Sequence, residues 1–535
     1  MESVKRVKMD KFFTEKDIEQ INSRGISLET VIAQLEALKM GFPYTELSRP
    51  CTVRDGIEVI SNSNLERLSR IYSKAALEGR AMKFVPASGA ASRMFKLLLS
   101  VYNNQDNLDM EYISAKSKEG VADFKGLLQF LKEVKRFAFY EDLKSVMSRD
   151  GLDIETHLSK GRYNEILQYL LTPKGLDYAM LPKGLIKFHR YPDHTRTPFE
   201  EHLVEAAGYT RDRFNVCRLH FTLSPEYEEL VRDYIHNSRA RFETSGIKYE
   251  LTFSIQKPST DTIAVDLDNK PFRNEDGTLL FRQGGHGALL ENLNELKGDI
   301  VFITNIDNVV PDRLKEYEYK RAMGGYLIEL QTEIFGYLET LLDKQSDELL
   351  LEEIFEFART KLSIIPPESL ERSGVEKRAS FLYSKLNRPI RVCGMVENKG
   401  DPGGGPFWVL QQGLPDDKRQ DKFLSIQIVE LSQVNMGLPE QRAIWDSSTH
   451  FSPVNIVCGV RDFLGSPFDL RRFVDPNTGF ISIKSKDGRE VKALELPGLW
   501  NGGMANWNTI LVEVPLSTFN PVKTVSDLLR EEHQD

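Results

Sequence analysis

The chain has 535 residues, of which 40% are hydrophobic and 28% are charged, so it is long enough to bury more than one hydrophobic core. Its formal net charge is -9, from 70 basic and 79 acidic residues without long blocks of one sign, which argues against a nucleic-acid backbone or an anionic membrane as a partner. The composition predicts a soluble globular protein and does not indicate its oligomeric state.

Cysteine usage and hydropathy bear on the cellular compartment. Cys51, Cys217, Cys393 and Cys458 are far apart and form no C-x-x-C pair, which argues against a structural zinc site or a disulfide framework. The N-terminal residues contain no apolar core of signal-peptide length, and no run approaches the ~20 apolar residues that span a bilayer. We therefore expect a cytoplasmic protein.

The first 180 residues are mostly helical in pattern. Residues 1–80 carry apolar side chains at helical spacing, as at 28–38, and predict a helical N-terminal region. An apolar run at 82–86 then predicts a short buried strand, followed by a loop of small residues that opens a helix near Met94. Helical spacing continues over about 97–180, which we interpret as an insertion.

Strands and helices alternate after residue 180, and this predicts a layered α/β domain over 81–535. Helical stretches such as 225–239 separate the strands, a second helical insertion is predicted at about 313–388, and 390–515 mixes strands with Gly/Pro-rich loops. The clearest strand-like runs are 217–223, 249–254 and 300–304.

The loop after the first predicted strand is a candidate phosphate site, and Arg93 follows it directly. Backbone N–H groups at the start of a helix, together with the helix dipole, suit a phosphate group. Packing alone also explains many turns of this kind, so the loop needs support from other segments. Its small residues are Ser88, Gly89, Ala90, Ala91 and Ser92.

Further candidates for nucleotide contacts follow along the chain. Lys183 lies in a Leu-Pro-Lys-Gly-Leu stretch beside an apolar run, and Gln256 follows the strand predicted at 249–254. A Gly-His-Gly sequence is formed by Gly285, His286 and Gly287.

Asp307 is a candidate metal ligand, since it stands at the carboxyl end of the strand predicted at 300–304. A hard Mg²⁺ ion that bridges phosphates would be held at such a strand end. An Asx turn is the alternative explanation for this aspartate and for its neighbours Asn305 and Asn308.

Polar residues and glycines in the last third of the chain are further candidates for ligand binding. Carboxylate and amide side chains can hydrogen-bond a ligand, and glycines let a ligand approach the backbone. A loop, a cross-strand charge and a turn are the ordinary alternatives for these residues. They are Glu397, Asn398, Gly404, Gly405, Glu430 and Asn455. Near the C-terminus, Lys523 supplies a compact ammonium group suited to charge that develops in phosphoryl transfer.

These segments, which occur along the chain in the family's order, resemble the signatures of the UDP-sugar pyrophosphorylases (UTP:hexose-1-phosphate uridylyltransferases). That family belongs to the nucleotide-diphospho-sugar transferase superfamily. Residues 518–529 look like the family's F-x-P-V-K-T-x-S-D-L-L segment, and 86–94 is similar to its A-G-G-x-G-T-R-L loop. Residues 197–203, 283–288 and 302–308 are similar to T-P-x-x-E-H-L, P-P-G-H-G-D and F-x-x-N-x-D-N-L. Residues 395–405, 428–434 and 451–456 are similar to E-V-x-x-K-x-x-x-D-x-x-G-G, V-x-E-Y-x-Q-I and F-N-x-x-N-I.

The resemblance implies an α/β fold, a Rossmann-like nucleotide-diphospho-sugar transferase (GT-A-like) mixed sheet with a helical N-terminal region and helical insertions. It implies an enzyme that joins a sugar 1-phosphate to a nucleoside triphosphate, with UTP expected, and releases pyrophosphate. Arg93, Lys183 and Lys523 would be catalytic, and Asp307 would hold Mg²⁺. Residues 88–92, Gln256 and the Gly-His-Gly loop would bind the nucleotide, and the six residues from Glu397 to Asn455 would bind the sugar.

Departures from the family's loop leave alternatives open. Ser88 and Ala91 stand where the family has glycine, and Ser92 stands for its threonine, so we expect a divergent member of bacterial type. A catalytically inactive nucleotide-sugar sensor or scaffold is one alternative. A GT-A-type glycosyltransferase is another, although residues 305–307 lack its Asp-x-Asp pattern. The residues do not identify the base or the sugar.

Overall fold

The chain divides into two compact units. The larger unit comprises Met1–Lys74, Ile255–Phe302 and Arg321–Val514, and the smaller unit comprises Ala75–Ser254, Ile303–Lys320 and Pro515–Asp535. The computed structural model describes residues 13–104, 108–244, 246–311, 314–342, 347–400, 403–411 and 423–534, with the backbone alone at 314–316 and 371.

Helices occupy much of the chain between residues 96 and 171 and between 314 and 386. The helices are α1 (Glu15–Ser23), α2 (Leu28–Met40), α3 (Asn62–Leu77), α4 (Lys96–Asn104), α5 (Met110–Lys118), α6 (Ala122–Glu133), α7 (Tyr140–Arg149), α8 (Ile154–Ser159), α9 (Tyr163–Leu171), α10 (Pro198–Tyr209), α11 (Glu228–Arg239), α12 (Leu289–Leu296), α13 (Leu314–Leu342), α14 (Glu348–Leu362), α15 (Glu368–Glu371), α16 (Val375–Leu386) and α17 (Pro439–Asp446).

Strands occur in both units. They are β1 (Glu46–Pro50), β2 (Thr52–Val53), β3 (Gly56–Val59), β4 (Ala81–Pro86), β5 (His189–Arg190), β6 (Thr195–Arg196), β7 (Val216–Leu223), β8 (Lys248–Ile255), β9 (Thr262–Val265), β10 (Phe281–Arg282), β11 (Ile300–Thr304), β12 (Ile390–Glu397), β13 (Gly405–Gln411), β14 (Phe423–Val429), β15 (His450–Phe451), β16 (Asn455–Gly459), β17 (Phe480–Lys486), β18 (Arg489–Glu495) and β19 (Asn508–Glu513). The predicted strands at 82–86, 217–223, 249–254 and 300–304 are β4, β7, β8 and β11.

One part of the predicted helical N-terminal region is not helical. Residues 46–59 form β1, β2 and β3, where β-branched residues such as Thr52, Val53 and Ile57 favour extended backbone. Gly56, with φ of 96°, supplies the turn between β2 and β3. The helical spacing at 28–38 does predict α2 correctly.

In the smaller unit, β4 pairs in parallel with β7, which lies beside β8. Helix α10 packs against β7 and contributes Phe199 and Leu203 to a core that also contains Val85 and Phe221. The start of α10 is strongly specified, because Thr197 caps it, Pro198 occupies the first turn and Glu200 completes a capping box. The parallel strands and their covering helix are typical of a Rossmann-like layer.

The helices of the first insertion have a core of their own. Phe130, Phe137, Phe139 and Leu143 are among its fully buried side chains. A 3₁₀ helix at Val525–Leu529 packs against the same core. The C-terminal segment is thereby fixed to the insertion immediately after Lys523.

In the larger unit, β2, β3, β19, β12 and β16 follow one another in a mixed sheet. The pairs from β2 to β12 are parallel, and β16 runs antiparallel to β12. Two antiparallel sheets accompany it, with the strand orders β1-β13-β14 and β10-β9-β18-β17. The predicted fold class, a mixed α/β sheet with helical insertions, is confirmed.

All four cysteines are free and buried. No helix in the described parts of the chain combines the length and apolar character that a membrane span requires.

Candidate functional site

The small-residue loop after β4 is held by a second segment of the smaller unit. The Ala91 N–H donates to the Leu181 carbonyl and the Lys183 N–H donates to the Gly89 carbonyl, both at 3.0 Å. Ala90 and Pro182 thus form an antiparallel bridge. Although the helical insertion separates the two segments in sequence, Lys183 lies beside the loop.

The sequence pattern predicted that this loop opens an α-helix directly. The structure shows that it does not. A single 3₁₀ turn spans Ala91–Arg93, and α4 begins only at Lys96, because residues 89–91 extend to pair with 181–183. Gly89 and Ala90 lie at the surface, whereas the methyl group of Ala91 is buried in the core of the helical insertion. The alanine at this position therefore packs inward, away from the exposed part of the loop.

Two further segments meet Lys183. Its ammonium group lies 2.7 Å from Asp307 Oδ2 and donates to the Val522 carbonyl at 2.8 Å. The Val522 N–H donates in turn to the Asp307 carbonyl at 3.2 Å. We call this set the Lys183–Asp307 cluster: the loop at 88–93, Lys183, the turn at 305–308 and residues 520–523.

The turn that carries Asp307 is fixed at both ends. The Ile306 N–H donates to the Pro86 carbonyl at the end of β4, at 3.2 Å. The Asn520 N–H donates to Asn308 Oδ1 at 2.9 Å, so Asn308 ties this turn to the C-terminal segment. The Asn308 side chain thus positions backbone in this cluster.

Lys523 is exposed, and its backbone is positioned by Asp527. The N–H groups of Lys523 and Thr524 both donate to Asp527 Oδ2, at 2.8 and 2.6 Å. The Lys523 ammonium group lies 5.9 Å from the centre of the Phe519 ring. Arg93 and Ser92 are also exposed, and Ser88 is half-buried. The cluster therefore presents Arg93 and Lys523 to solvent and keeps Lys183 half-buried.

A buried charged group lies behind this cluster. Lys83 on β4, fully buried, is 2.6 Å from Glu205 Oε2 on α10, and Lys320 on α13 forms a second ion pair with Glu205. The Tyr209 hydroxyl donates to Glu205 Oε1 at 2.9 Å. His202 donates from Nε2 to the Ile306 carbonyl at 3.2 Å, which connects this buried group to the turn of Asp307.

Burial controls the protonation of these groups. It lowers the pKa of Lys83 to about 7, with Lys320 adding repulsion and Glu205 opposing the shift. It also lowers the pKa of His202 well below its ordinary value, so the ring is neutral and has one N–H to donate. Burial would raise the pKa of Glu205, but the two lysines outweigh it and hold that pKa below its usual range. Glu205 is therefore the carboxylate that balances two buried lysines.

Asp307 fits a Mg²⁺ ion that is held mainly by phosphate oxygens and water. No group of three or more His, Cys, Asp or Glu side chains converges as a metal cage in the described parts of the chain. The Asp307 carboxylate has Oδ2 in contact with Lys183, and Oδ1 forms no ion pair with a second cation among the described residues. Mg²⁺ usually binds one or two carboxylates together with substrate phosphates, so one carboxylate suffices.

In the larger unit, His286 packs into a cluster that the sequence did not predict. Its ring stacks on Trp500 with 4.3 Å between centroids, its Nδ1 accepts from the Leu499 N–H at 3.1 Å, and its Nε2 lies 3.4 Å from Glu430 Oε1. Trp500 is itself held by Arg391, which is fully buried and donates to the Trp500 carbonyl at 2.6 Å.

The glycines beside His286 are explained by contacts within the chain. Gly285 has φ of 75°, and a Cβ there would come within 2.2 Å of the Glu495 carboxylate. A Cβ on Gly287 would come within 2.1 Å of the Pro497 carbonyl oxygen. A side chain is therefore excluded at these two positions by Glu495 at the end of β18 and by Pro497 just after that strand.

Buried polar atoms without partners lie near Gly404 in the same unit. Ser452 Oγ, Asn455 Nδ2 and Asn501 Oδ1 are buried and make no hydrogen bond to any described residue. The Ser452 N–H donates to the Gly404 carbonyl at 2.9 Å, and a Cβ on Gly404 would lie 3.5 Å from Asn501 Nδ2. An unpaired buried polar atom costs about 1–3 kcal/mol, so three in one region favour a site that a polar ligand completes.

The backbone between Ser452 and Asn455 is strained. Val454 has φ of 57°, a left-handed conformation that is unusual for a β-branched residue and costs about 1–3 kcal/mol. This left-handed turn comes directly before Asn455, the first residue of β16. We call Gly404, Ser452, Asn455 and Asn501, with His286, Glu430 and Trp500, the His286–Asn455 cluster.

Other candidate residues lie apart from these contacts. Glu397 is exposed and pairs with Lys399 at 2.5 Å, and Asn398 accepts from the Gly400 N–H at 2.8 Å. Gly405 is buried at the start of β13, where a Cβ would meet the Phe407 ring. Gln256 is half-buried after β8, and its Nε2 is unpaired within the part of the chain that the structure describes. Asp401, the aspartate of the hairpin pattern, lies outside the described residues.

Gly498 is essential for the packing of the His286–Asn455 cluster. A Cβ there would come within 2.6 Å of His286 Cε1 and 2.8 Å of Asn501 Oδ1. We expect Gly498→Ala to reduce the free energy of unfolding by about 1–3 kcal/mol, because the ring and the amide must both move. Urea denaturation checks this, with Gly336→Ala as the control: its helical Cβ would have nothing within 4 Å. Equal stability of the two variants would contradict the tight packing.

Lys83, His202, Glu205 and the segment at 497–503 were not predicted as parts of these sites, although the sequence contains weak signals for them. Lys83 interrupts an apolar run predicted to be buried, which indicates an internal ion pair. His202 and Glu205 are three residues apart and therefore share one face of α10. The Pro-Gly-Leu-Trp-Asn-Gly-Gly segment at 497–503 marks a tight turn with an aromatic residue, but nothing in it indicates His286 as the partner.

Comparison with known proteins gives one family and several distant structures. A family model described as "Domain of unknown function (DUF4301)" matches residues 14–534. No curated protein matches the chain in sequence.

Similar solved structures include proteins of Leishmania major and Trypanosoma brucei. The UDP-glucose pyrophosphorylase of Leishmania major is 11% identical, with 96% of this chain and 77% of that chain covered and a TM-score of 0.43. The uridine diphosphate N-acetylglucosamine pyrophosphorylase of Trypanosoma brucei, solved with an inhibitor, is 12% identical, with 97% and 79% covered and a TM-score of 0.46. At these values the similarity identifies no substrate or site.

Proposed function

We propose that this chain, which belongs to the DUF4301 family, joins a sugar 1-phosphate to a nucleoside triphosphate and releases pyrophosphate. UTP is the expected nucleotide. One observation carries the proposal. Lys183 contacts both Asp307 and the Val522 carbonyl, so two segments that resemble the pyrophosphorylase signatures, 302–308 and 518–529, meet at this lysine, with the small-residue loop beside them.

The Lys183–Asp307 cluster is suited to a triphosphate. Arg93 and Lys523 are exposed cations, and Lys183 adds a third that is already oriented by two contacts. Guanidinium and ammonium groups bind phosphate oxygens strongly, the former with two N–H groups at once. We assign the triphosphate to Arg93, Lys183 and the backbone of residues 88–92.

Asp307 would hold Mg²⁺, which would neutralise charge on the phosphates. Lys183 orients this carboxylate through its 2.7 Å contact with Oδ2. His202, through its hydrogen bond to the Ile306 carbonyl, positions the turn from behind.

The reaction needs no covalent enzyme intermediate. A phosphate oxygen of the sugar 1-phosphate forms a bond to the α-phosphorus, the bond from the α-phosphorus to the β-bridging oxygen breaks, and pyrophosphate leaves with that electron pair. The protein contributes positioning and charge neutralisation. Lys523, compact and exposed, stabilises the charge that develops on the oxygens of the transition state.

The His286–Asn455 cluster supplies groups suited to a sugar. Its unpaired atoms include one amide donor, Asn455 Nδ2, one amide acceptor, Asn501 Oδ1, and the Ser452 hydroxyl. Glu430 accepts hydrogen bonds, and the stacked rings of His286 and Trp500 offer an apolar face. Sugars present hydroxyls and an apolar ring face, so we assign the sugar hydroxyls to Asn455 and Glu430, beside Gly404 and Gly405. Gln256, with its unpaired amide, remains the proposed reader of the base.

The decisive experiment measures pyrophosphate release with Mg²⁺ over a matrix of nucleoside triphosphates and sugar 1-phosphates. We expect one or a few combinations to release pyrophosphate, and Asp307→Ala to reduce the rate at least about 10²-fold. Asp233→Ala on α11, an exposed aspartate of the same unit, is the matched control and should leave the rate unchanged.

Two outcomes would contradict the proposal. Release that is insensitive to Asp307→Ala would remove this carboxylate from the reaction. No release in any combination, together with measurable binding of a nucleotide sugar, would identify the chain as a sensor or scaffold instead. Transfer of sugar from a finished nucleotide sugar to an acceptor would identify a glycosyltransferase.

A further inference from the structure

A small cavity in the larger unit is unrelated to either cluster. It has a volume of about 60 Å³ and lies between the C-terminal ends of α14 and α16, the open ends of β13 and β14, and the loop at 505–509. Two cations line it, Lys385 on α16 and Arg388 just after that helix. No aspartate or glutamate is among the described residues that line it.

Neither cation has a counter-charge among the residues that the structure describes. The Lys385 ammonium group lies 4.4 Å from the centre of the Phe423 ring and 5.5 Å from that of Phe381, and it makes no ion pair with a described residue. Arg388 donates from Nε to the Ser384 carbonyl at 2.8 Å and from Nη1 to the Asn506 carbonyl at 3.2 Å. These bonds orient the guanidinium group and leave its Nη2 without a partner in the described structure.

The surroundings penalise this positive charge. Burial, with added repulsion from Arg388, lowers the pKa of Lys385 to about 7, and burial lowers the pKa of Arg388 to about 10. Two poorly solvated cations that repel each other destabilise a fold unless something offsets the charge. An anion bound between them would do so.

The cavity also contains an unused neutral donor. Trp507 is 4% exposed, and its indole N–H donates to nothing in the described part of the chain. An indole can only donate, so this buried group needs an acceptor. Two cations and the tryptophan that carries this N–H donor line the same space, and such donors match the acceptor-only oxygens of an oxyanion.

The volume limits the size of the ligand. One water molecule needs about 10–15 Å³ of such space, so 60 Å³ accommodates about four waters, or the five heavy atoms of a phosphate group. A nucleotide or a sugar nucleotide does not fit. We propose that this cavity is a binding site for a tetrahedral oxyanion of phosphate size, either the free ion or the end group of a phosphate ester, held by Lys385, Arg388 and the Trp507 indole N–H.

Phosphate could also bind to the Lys183–Asp307 cluster, so the test is made in the full-length Arg93→Ala background. Isothermal titration calorimetry with inorganic phosphate at constant ionic strength is expected to find one bound ion per chain, with a dissociation constant in the low millimolar range or below. Lys385→Met should weaken this binding at least tenfold, and Trp507→Phe several-fold. Lys377→Met, which removes an exposed lysine from the same helix, should leave it unchanged.

The Lys385→Met variant should fold, because it removes a poorly solvated charge and keeps a side chain of similar length. If it does not fold, the effect of Trp507→Phe on phosphate binding tests the site alone. Phosphate binding that is absent in the Arg93→Ala background, or that survives both Lys385→Met and Trp507→Phe, would overturn the proposal. Glycerol 3-phosphate distinguishes the two sources of the oxyanion: equal or tighter binding than phosphate assigns the site to an ester end group, and weaker binding to the free ion. The outcome is independent of the proposed function, since no nucleotidyl transfer is measured.

Discussion

Replacing Lys523 with alanine lowers the turnover number of the proposed nucleotidyl transfer about 10³-fold and leaves the protein folded. The size of the effect follows from the role proposed for its ammonium group, which stabilises charge that appears only in the transition state. The fold survives because the side chain is exposed, and because Asp527 holds the backbone of Lys523 and Thr524 through bonds that do not involve it.

Steady-state kinetics with the substrates identified by the matrix check this prediction. The turnover number should fall much more than the Michaelis constant for the nucleotide rises, since the lost interaction belongs to the transition state. Lys125→Ala, at an exposed lysine on α6 of the same unit, is the control and should be fully active. A Lys523→Ala enzyme with near-normal turnover would remove this lysine from the mechanism, even if the function itself is correct.

The parts of the fold that the sequence predicted well are those set by local rules. Residues 82–86 form a strand because four of the five are apolar and small residues follow them. Helix α10 begins at Pro198 because Thr197 and Glu200 cap it. Asp307 could be placed at a strand end for the same reason, since the five residues before the turn are all buried in β11. Local patterns of this kind act within a few residues of the chain.

The parts that the sequence did not predict depend on contacts between distant segments. Nothing near Gly498 shows that His286 will approach it, and nothing near Lys320 shows that Glu205 will. The small-residue loop illustrates the same point, because its pairing with residues 181–183 delays the start of α4. Long-range pairing is decided by the whole fold, and a single sequence carries no direct record of it.

The buried pair of lysines around Glu205 gives the second large effect, this time on stability. We expect Glu205→Gln to reduce the free energy of unfolding by about 3–5 kcal/mol, because it leaves Lys83 and Lys320 buried together without a carboxylate. Chemical denaturation followed by circular dichroism measures the loss. Glu229→Gln, at an exposed glutamate on α11, is the matched control and should change stability by less than about 0.5 kcal/mol.

The pH dependence of this loss tests its electrostatic origin. Burial already lowers the pKa of Lys83 to about 7, and losing Glu205 lowers it further, whereas the unfolded lysine keeps its usual value near 10.5. The folded Lys83 therefore loses its proton at a lower pH in Glu205→Gln than in the unmodified protein, so the stability lost in the variant must shrink as the pH rises toward 7. Adding Lys320→Met removes one of the two unbalanced charges and should restore part of the lost stability at pH 7. A loss that is independent of pH, and that Lys320→Met deepens, would mean that Glu205 acts through packing and its hydrogen bond from Tyr209 instead of through charge.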